Sequence, residues 1–200
     1  SHLVDALVPI SEKVTVIDLI KPLVDRKNPL AKYRQFDIRE AGLAEIFAKE
    51  KPNVIFHLAA HINDRESVHE PVMNASHNIL GSLNVFEAAR QHLNGRLVFA
   101  STGVTYGEQK ELPIKEDTLP KPLTPYAVSK LAGERYLNFY NNVCGLSYMA
   151  LRLGNVYGPR QDSSAESGAV GIFAKKLLAG QTPFLNNDGL TTRDYVYVSD

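Results

Sequence analysis

Short apolar runs alternate with longer amphipathic stretches along almost the whole chain. The runs at 14–18, 53–58, 96–100 and 147–153 are rich in Val, Ile, Leu and Phe and read as buried strands. Between them, apolar positions recur at helical spacing. The stretch 42–49 places Leu43, Ile46 and Phe47 on one face, and 73–91, 125–142 and 169–178 predict further helices. A strand-like run follows at 182–185. Strand alternating with helix predicts an α/β, Rossmann-like doubly wound parallel sheet with right-handed crossovers.

Chemistry collects around one predicted helix start. Tyr126 and Lys130 are four residues apart, so a helix carries both on one face, one turn apart. An ammonium beside a phenol favours the phenolate, which predicts that Lys130 lowers the Tyr126 pKa. The strand at 96–100 runs into Ser101 and Thr102, so two hydroxyls sit at its carboxyl end, the edge where open α/β sheets bind ligands. The polar, proline-rich loop at 109–125 then delivers Tyr126 to its helix. Asp18 ends an early strand, where a carboxylate can accept from a ribose diol and repel a 2′-phosphate.

Two further patterns point elsewhere. His57 and His61 have the spacing of helical zinc ligands but fall at a strand end, where four residues span about 13 Å, too far for one metal. The basic and aromatic residues at 135–140 suggest a nucleic-acid patch only without helical phase, in which Leu137 and Tyr140 become core or dimer contacts. No metal site is expected.

Seven segments in order resemble the extended short-chain dehydrogenase/reductase family, and within it the nucleotide-sugar 4-epimerases of the UDP-glucose/UDP-galactose type. They are Asp37-Ile-Arg, His57-Leu-Ala-Ala, Asn78-Ile-Leu-Gly, Ser101-Thr, Tyr126-x-x-x-Lys130, the stretch from Leu151 through Asn155 to Gln161, and Arg193-Asp-Tyr-Val-Tyr-Val. The resemblance implies NAD as cofactor and a nucleotide-linked hexose, of UDP type, as substrate. It implies transient oxidation at C4 and hydride return to the opposite face, with Tyr126 as base, Lys130 beside it and Thr102 positioning the sugar oxygen. Ser101 is the second candidate for that position. Asp18, Asp37, Ile38, Leu58, Ala59, Ala60, Asn78, Tyr126 and Lys130 are implied as cofactor contacts, Asn78 as a brace for the catalytic strand and loop. Thr102, Tyr126, Asn155 and Arg193 are implied as substrate contacts.

Related dehydratases and decarboxylases follow the threonine with acidic residues. Gly103 and Val104 carry no titratable group, which favours epimerisation. Alternatives are an epimerase of another nucleotide sugar (N-acetylhexosamine, uronate or heptose) or a non-catalytic dinucleotide-binding protein. Asn186-Asn187 departs from the family's aromatic-glycine pair near the base, and Gly154 is smaller than usual, which suggests a wider pocket.

The resemblance also implies a domain division: residues 1–165 as a dinucleotide-binding domain and 166–200 as the start of a smaller substrate-binding region. The amphipathic run at 1–7 matches the helix that follows the family's glycine loop, so the first strand and that loop are expected to lie upstream of this chain. A parallel sheet without its central strand leaves flanking backbone groups unpaired, so the 200 residues alone are expected neither to fold stably nor to hold cofactor.

Composition narrows partners. Twenty-two basic against twenty-two acidic residues give no net charge, which offers nucleic acid or an anionic membrane no electrostatic purchase. No apolar run approaches a membrane span. A single cysteine, Cys144, forbids an internal disulfide and suits a reducing, cytoplasmic setting. By resemblance, the helices around 78–91 and 126–140 pair in a homodimer through a four-helix bundle.

Overall fold

A computed structural model describes residues 1–161 and 168–200. Among the described residues, three parallel sheets carry the strands. The pair β1 (Thr15–Asp18) and β2 (Lys32–Gln35) runs in register from Thr15↔Lys32 to Asp18↔Gln35. The sheet β3–β4–β5 (Val54–His57, Arg96–Thr102, Ser147–Leu153) places His57 beside Phe99 and Thr102 beside Leu153. A short pair, β6 (Asn155–Tyr157) and β7 (Tyr195–Tyr197), completes the set among the described residues. Among the described residues, β1–β2 and β3–β4–β5 share no backbone ladder.

The core is a single cluster. Phe86, Phe99, Leu97 and Leu137 are completely buried, with Leu43 and Phe47 of α2 (Leu43–Glu50) closing it from the other side. Phe86 and Phe99 meet edge to face at 5.8 Å. The long helix predicted at 73–91 is a continuous column: α4 (Pro71–Ala75), a π-helical turn (Ser76–Leu80) and α5 (Gly81–His92). π turns inside helices commonly mark functional positions, and Asn78 lies in this one.

α6 (Pro125–Cys144) shows why the sequence folds as it does. Thr124 caps it by accepting from the Ala127 amide at 3.3 Å, Pro125 occupies the first turn, and Gly145 ends it at φ 73°. Its buried face is Ala127, Lys130, Gly133, Leu137 and Tyr140. A Cβ on Gly133 would stand 2.7 Å from the Phe99 ring, so the glycine allows α6 to lie close against β4.

Several expectations need correction. Thr182–Leu185 forms no strand: Pro183 has no amide to donate, and Phe184 and Leu185 are exposed. β2 went unread because Lys-Tyr-Arg-Gln shows no apolar run. The helix α3 (Asp64–His69) is short and polar, and only its Asn63 cap, accepting from the Glu66 amide at 3.0 Å, marks it. At the amino terminus, α1 (His2–Leu7) is tied to the loop after β6 by Arg160 Nη2 donating to Asp5 Oδ2 at 2.7 Å. The domain boundary placed at 165/166 falls outside the described residues. No described helix is long and apolar enough to cross a membrane.

Candidate active site

Thr102 and Tyr126 meet. β4 ends at Thr102, and the α6 cap delivers Tyr126 so that the threonine hydroxyl stands close enough to the phenol to favour its ionised form. Thr102 Oγ1 also accepts from the Val104 amide at 3.4 Å, capping the short 3₁₀ turn that follows. α3 fixes the other side. Ser67, fully buried, accepts from the Tyr126 amide at 3.2 Å and donates to the Asp64 carbonyl at 2.6 Å. Thr124 Oγ1 donates to Asp64 Oδ1 at 2.5 Å.

The expectation that Lys130 lowers the Tyr126 pKa is not met. Burial pushes the phenol up and the Asp64 carboxylate adds to that push, while the Thr102 hydroxyl opposes it. The Lys130 ammonium turns instead to the Ala100 carbonyl at 2.8 Å and lies 4.8 Å above the Phe99 ring. Shared helical face is thus real, but a lysine long enough to reach β4 takes a carbonyl there. Burial without a carboxylate partner brings Lys130 down to about 8. An ammonium has three donors, and one of them meets Ala100.

Ser101, the second candidate for Thr102's position, points the other way. Adjacent strand residues face opposite ways, and Ser101 donates to Glu134 Oε1 of α6 at 2.5 Å. Arg152 grips the same carboxylate through two bonds, at 2.9 and 2.7 Å, and stacks 4.5 Å from the Tyr106 ring. Sequence reasoning passed over this Glu134–Arg152 clamp, although Glu134 repeats the four-residue spacing from Lys130 on the same helix.

Asn78 is a brace, though for a different pair than expected. Fully buried, it accepts from the His61 amide at 2.7 Å and donates to the His61 carbonyl and to Ser129 Oγ, both at 3.0 Å. It therefore joins the loop after β3 to α6 rather than bracing β4. That loop carries Leu58, exposed, and the half-buried Ala59 and Ala60. His57, before it, is buried against Phe86 and Phe99 and bonds Ser82 at 2.8 Å.

The remaining candidates lie apart. Asp18 is exposed at the end of β1, its Oδ1 accepting from the Ile20 amide at 2.9 Å. Arg39 holds both Asp37 oxygens, Nη2 reaching one at 2.5 Å, and keeps that carboxyl at about 2. Ile38 packs against Gly81, where a Cβ would come 2.9 Å from its side chain. Asn155 binds the Asp194 carbonyl through its amide at 2.8 Å, and the exposed Arg193 donates to the Thr192 carbonyl at 2.8 Å. None of these touches Thr102 or Tyr126 in the described contacts. Gly154 does not widen a pocket: a Cβ there would meet Asp194 Oδ2 at 2.9 Å and its carbonyl at 3.0 Å, so the glycine accommodates β7. A groove of about 680 Å³ between β6–β7 and α7 (Ala169–Leu178), lined by Tyr157, Arg160, Lys175 and Tyr197, includes none of the expected residues. The side chains of Asn186 and Asn187 lie outside the described set.

Residues 1–200 match the NAD dependent epimerase/dehydratase family. A putative UDP-glucose 4-epimerase of Methanocaldococcus jannaschii is 41% identical over all of this chain and 66% of its own length. The structure of UDP-glucose 4-epimerase from Thermotoga maritima with UDP-glucose superposes with a TM-score of 0.94 at 38% identity, over 99% of this chain and 65% of that one. A UDP-N-acetylglucosamine 4-epimerase from Methanobrevibacter ruminantium, in complex with UDP-N-acetylmuramic acid, gives 0.90 at 35% identity, over 98% and 64%. The chain spans just under two thirds of the length of these proteins.

Proposed function

We infer that this chain, which belongs to the NAD dependent epimerase/dehydratase family, serves as an isomerase that inverts C4 of a nucleotide-linked hexose, of the UDP-glucose/UDP-galactose type. The observation that carries this reading is the meeting of Thr102 and Tyr126 at the carboxyl end of β4, with Lys130 buried against the Ala100 carbonyl of the same strand and no titratable group at Gly103 or Val104.

The residues fit NAD. A buried ammonium with donors to spare and an exposed strand-end carboxylate are a donor and an acceptor suited to two ribose diols. Lys130 and Tyr126 would hold the nicotinamide end, Asp18 the adenosine ribose, and the backbone of Leu58–Ala59–Ala60 the stretch between. Asp37, already claimed by Arg39, and Ile38, packed on Gly81, would contribute through backbone and shape rather than free polar groups. When bound, NAD supplies a reversible hydride acceptor.

The chain's own residues handle the proton. Thr102 holds the sugar oxygen beside Tyr126, which removes the 4-hydroxyl proton and later returns it. A phenol raised by burial is a strong base once ionised and a competent acid when the proton goes back. The Glu134–Arg152–Ser101 clamp keeps β4, β5 and α6 in register under that exchange. Asn155 and Arg193 are assigned to the nucleotide diphosphate, where an arginine's planar fork suits phosphate oxygens. A homodimer through α5 and α6 is part of the same reading: Tyr136, Phe139 and Val143 stand exposed along α6. A cytoplasmic setting completes it.

The relative that acts on UDP-N-acetylglucosamine keeps N-acetylated hexoses as a second reading. The test takes the full-length protein from its source, with UDP-galactose, UDP-glucose and UDP-N-acetylglucosamine supplied separately and no NAD added. NMR should show interconversion of the glucose/galactose pair, abolished in Tyr126→Phe. Turnover of the N-acetylated sugar alone would move the assignment to the second reading. No turnover of any sugar, with NAD supplied, would overturn both.

A further inference from the structure

Asp64 stands at the one place where α3, the α6 cap and the acid–base pair come together, and no motif singled it out. Its carboxylate accepts from the Thr124 hydroxyl at 2.5 Å, and Thr124 in turn accepts from the Ala127 amide, one residue past Tyr126. Its carbonyl accepts from Ser67, whose oxygen accepts from the Tyr126 amide. Both branches of Asp64 therefore end on the backbone that carries the phenol. We propose that Asp64 is a positioning residue for Tyr126: through Thr124 and Ser67 it fixes the first turn of α6 and sets a carboxylate on the phenol's side of that turn.

Charges on the other packed elements are engaged elsewhere. Lys130, on α6 itself, faces the Ala100 carbonyl. On α3, Glu66 turns to His61 at 3.2 Å, while Arg65 and His69 are exposed. His77 of the π turn stacks on His61 at 5.8 Å, and α4 brings no charge. On β5, Arg152 is bound to Glu134 beside Tyr106 of the 3₁₀ turn, and on β4 the only charged residue, Arg96, sits at the far end. The α5 carboxylate Glu87 bonds Arg90 and Tyr140, well down α6. Among the described residues, the single carboxylate acting on Tyr126 is Asp64, which works with burial to keep the phenol protonated.

The consequence is an enzyme whose base is strong but scarce at neutral pH. Removing the charge while keeping an acceptor for Thr124, as Asp64→Asn does, should make the phenolate more abundant. This rests on the epimerase reading only for its kinetic part.

The test titrates tyrosinate absorbance of the full-length protein without substrate, taking the difference between each background and its Tyr126→Phe counterpart. The Tyr126 midpoint should fall in Asp64→Asn and stay near wild type in Asp64→Glu. The acid limb of kcat/KM against pH should move the same way. An unchanged midpoint in Asp64→Asn overturns the proposal. So does an Asp64→Asn protein that fails to fold in parallel thermal unfolding, because the carboxylate would then be a cap and nothing more. A shifted midpoint in a protein with no epimerase turnover sustains the role of Asp64 and overturns the function instead.

Discussion

The half of the molecule built on β3–β4–β5, α5 and α6 and the stretch from β6 to β7 are packed in opposite ways. The first contains Phe86, Phe99, Leu97 and Leu137, all without solvent contact. The second has no buried residue on α7 and exposes Leu178 at 90% and Leu190 at 82%. Among the described residues, the proposed acid–base groups Thr102, Tyr126 and Lys130 lie in the first half, and Asp64 on α3 is bonded to the cap of its helix α6. Asn155 and Arg193, the proposed substrate contacts, lie in the second, and among the described residues their side chains bond only to neighbouring backbone carbonyls. In the proposed reading, proton chemistry is thus preorganised by a core, whereas nucleotide recognition rests on side chains that no core holds among the described residues.

The largest effect that would sharpen this contrast is chemical. Tyr126→Phe in the full-length protein should lower turnover by about 10²- to 10⁴-fold, the usual worth of a positioned acid–base group. Its denaturant midpoint should hardly change, since the substitution keeps the ring and removes only an oxygen. Turnover within tenfold of wild type would show that the packed half does not house the acid–base.

The next test is mechanical. Leu137→Ala empties a site with no solvent contact and should cost about 2–5 kcal/mol in urea unfolding. Leu178→Ala, on the exposed helix, should stay within about 0.5 kcal/mol. Equal costs would break the comparison, because α7 would then have a buried face in the full-length protein.

What could be read from the chain follows the same divide. The apolar runs gave β1, β3, β4 and β5, and helical spacing gave α2, the α4–α5 column and α6, because buried elements must be apolar on the side they bury. Tyr126 and Lys130 were found by helical spacing, and both do lie against the β4 side of α6. Their partners were not legible. Ser101 and Thr102 are equivalent as letters, and only the alternation of a formed strand sends one to Glu134 and the other to Tyr126. Lys130 was assigned to the phenol, but the nearest acceptor once α6 had docked was the Ala100 carbonyl. Asp64 and Thr124 are sixty residues apart, so no local pattern joins them. In the poorly packed stretch, apolar letters misled: Phe184 and Leu185 suggested a strand where Pro183 breaks the ladder, and Gly154 suggested space where Asp194 fills it.

Two glycines test packing on a finer scale. Gly133→Ala would drive a methyl to 2.7 Å from the buried Phe99 ring and should cost about 1–3 kcal/mol as α6 is levered off β4. Gly154→Ala meets the Asp194 carboxylate at 2.9 Å, which can rotate away, and the Asp194 carbonyl at 3.0 Å, which must shift by a few tenths of an ångström together with Asn155, whose amide it accepts from. Its cost should be within about 1 kcal/mol, seen mainly as a raised KM for the nucleotide sugar through the displaced Asn155. A Gly154→Ala penalty as large as that of Gly133→Ala would mean that β6–β7 is held as rigidly as the core.

The smallest effect is a pH dependence of the core itself. Burial, helped by the Lys130 charge, pulls His57 down to about 3. The unfolded chain binds that proton near the ordinary histidine range and the folded one does not. Stability is therefore unaffected above about pH 6.5 and falls as pH drops from there toward 3, by up to about 1.4 kcal/mol per pH unit. The carboxylates Asp37, Glu50 and Glu87, held at about 2 by their basic neighbours, lose stability in the same direction but only below about pH 4.5, where the unfolded chain begins to take up their protons. The interval between pH 6.5 and 5 accordingly belongs to histidine, chiefly His57 with a smaller share from His77, which burial also lowers. His57→Gln, which keeps a donor for Ser82, should flatten the slope of urea-unfolding free energy in that interval, and His77→Gln should flatten it less. A slope unchanged by His57→Gln would show that water reaches the ring between Phe86 and Phe99, and the packed half would then be no drier at its strand ends than the stretch that follows it.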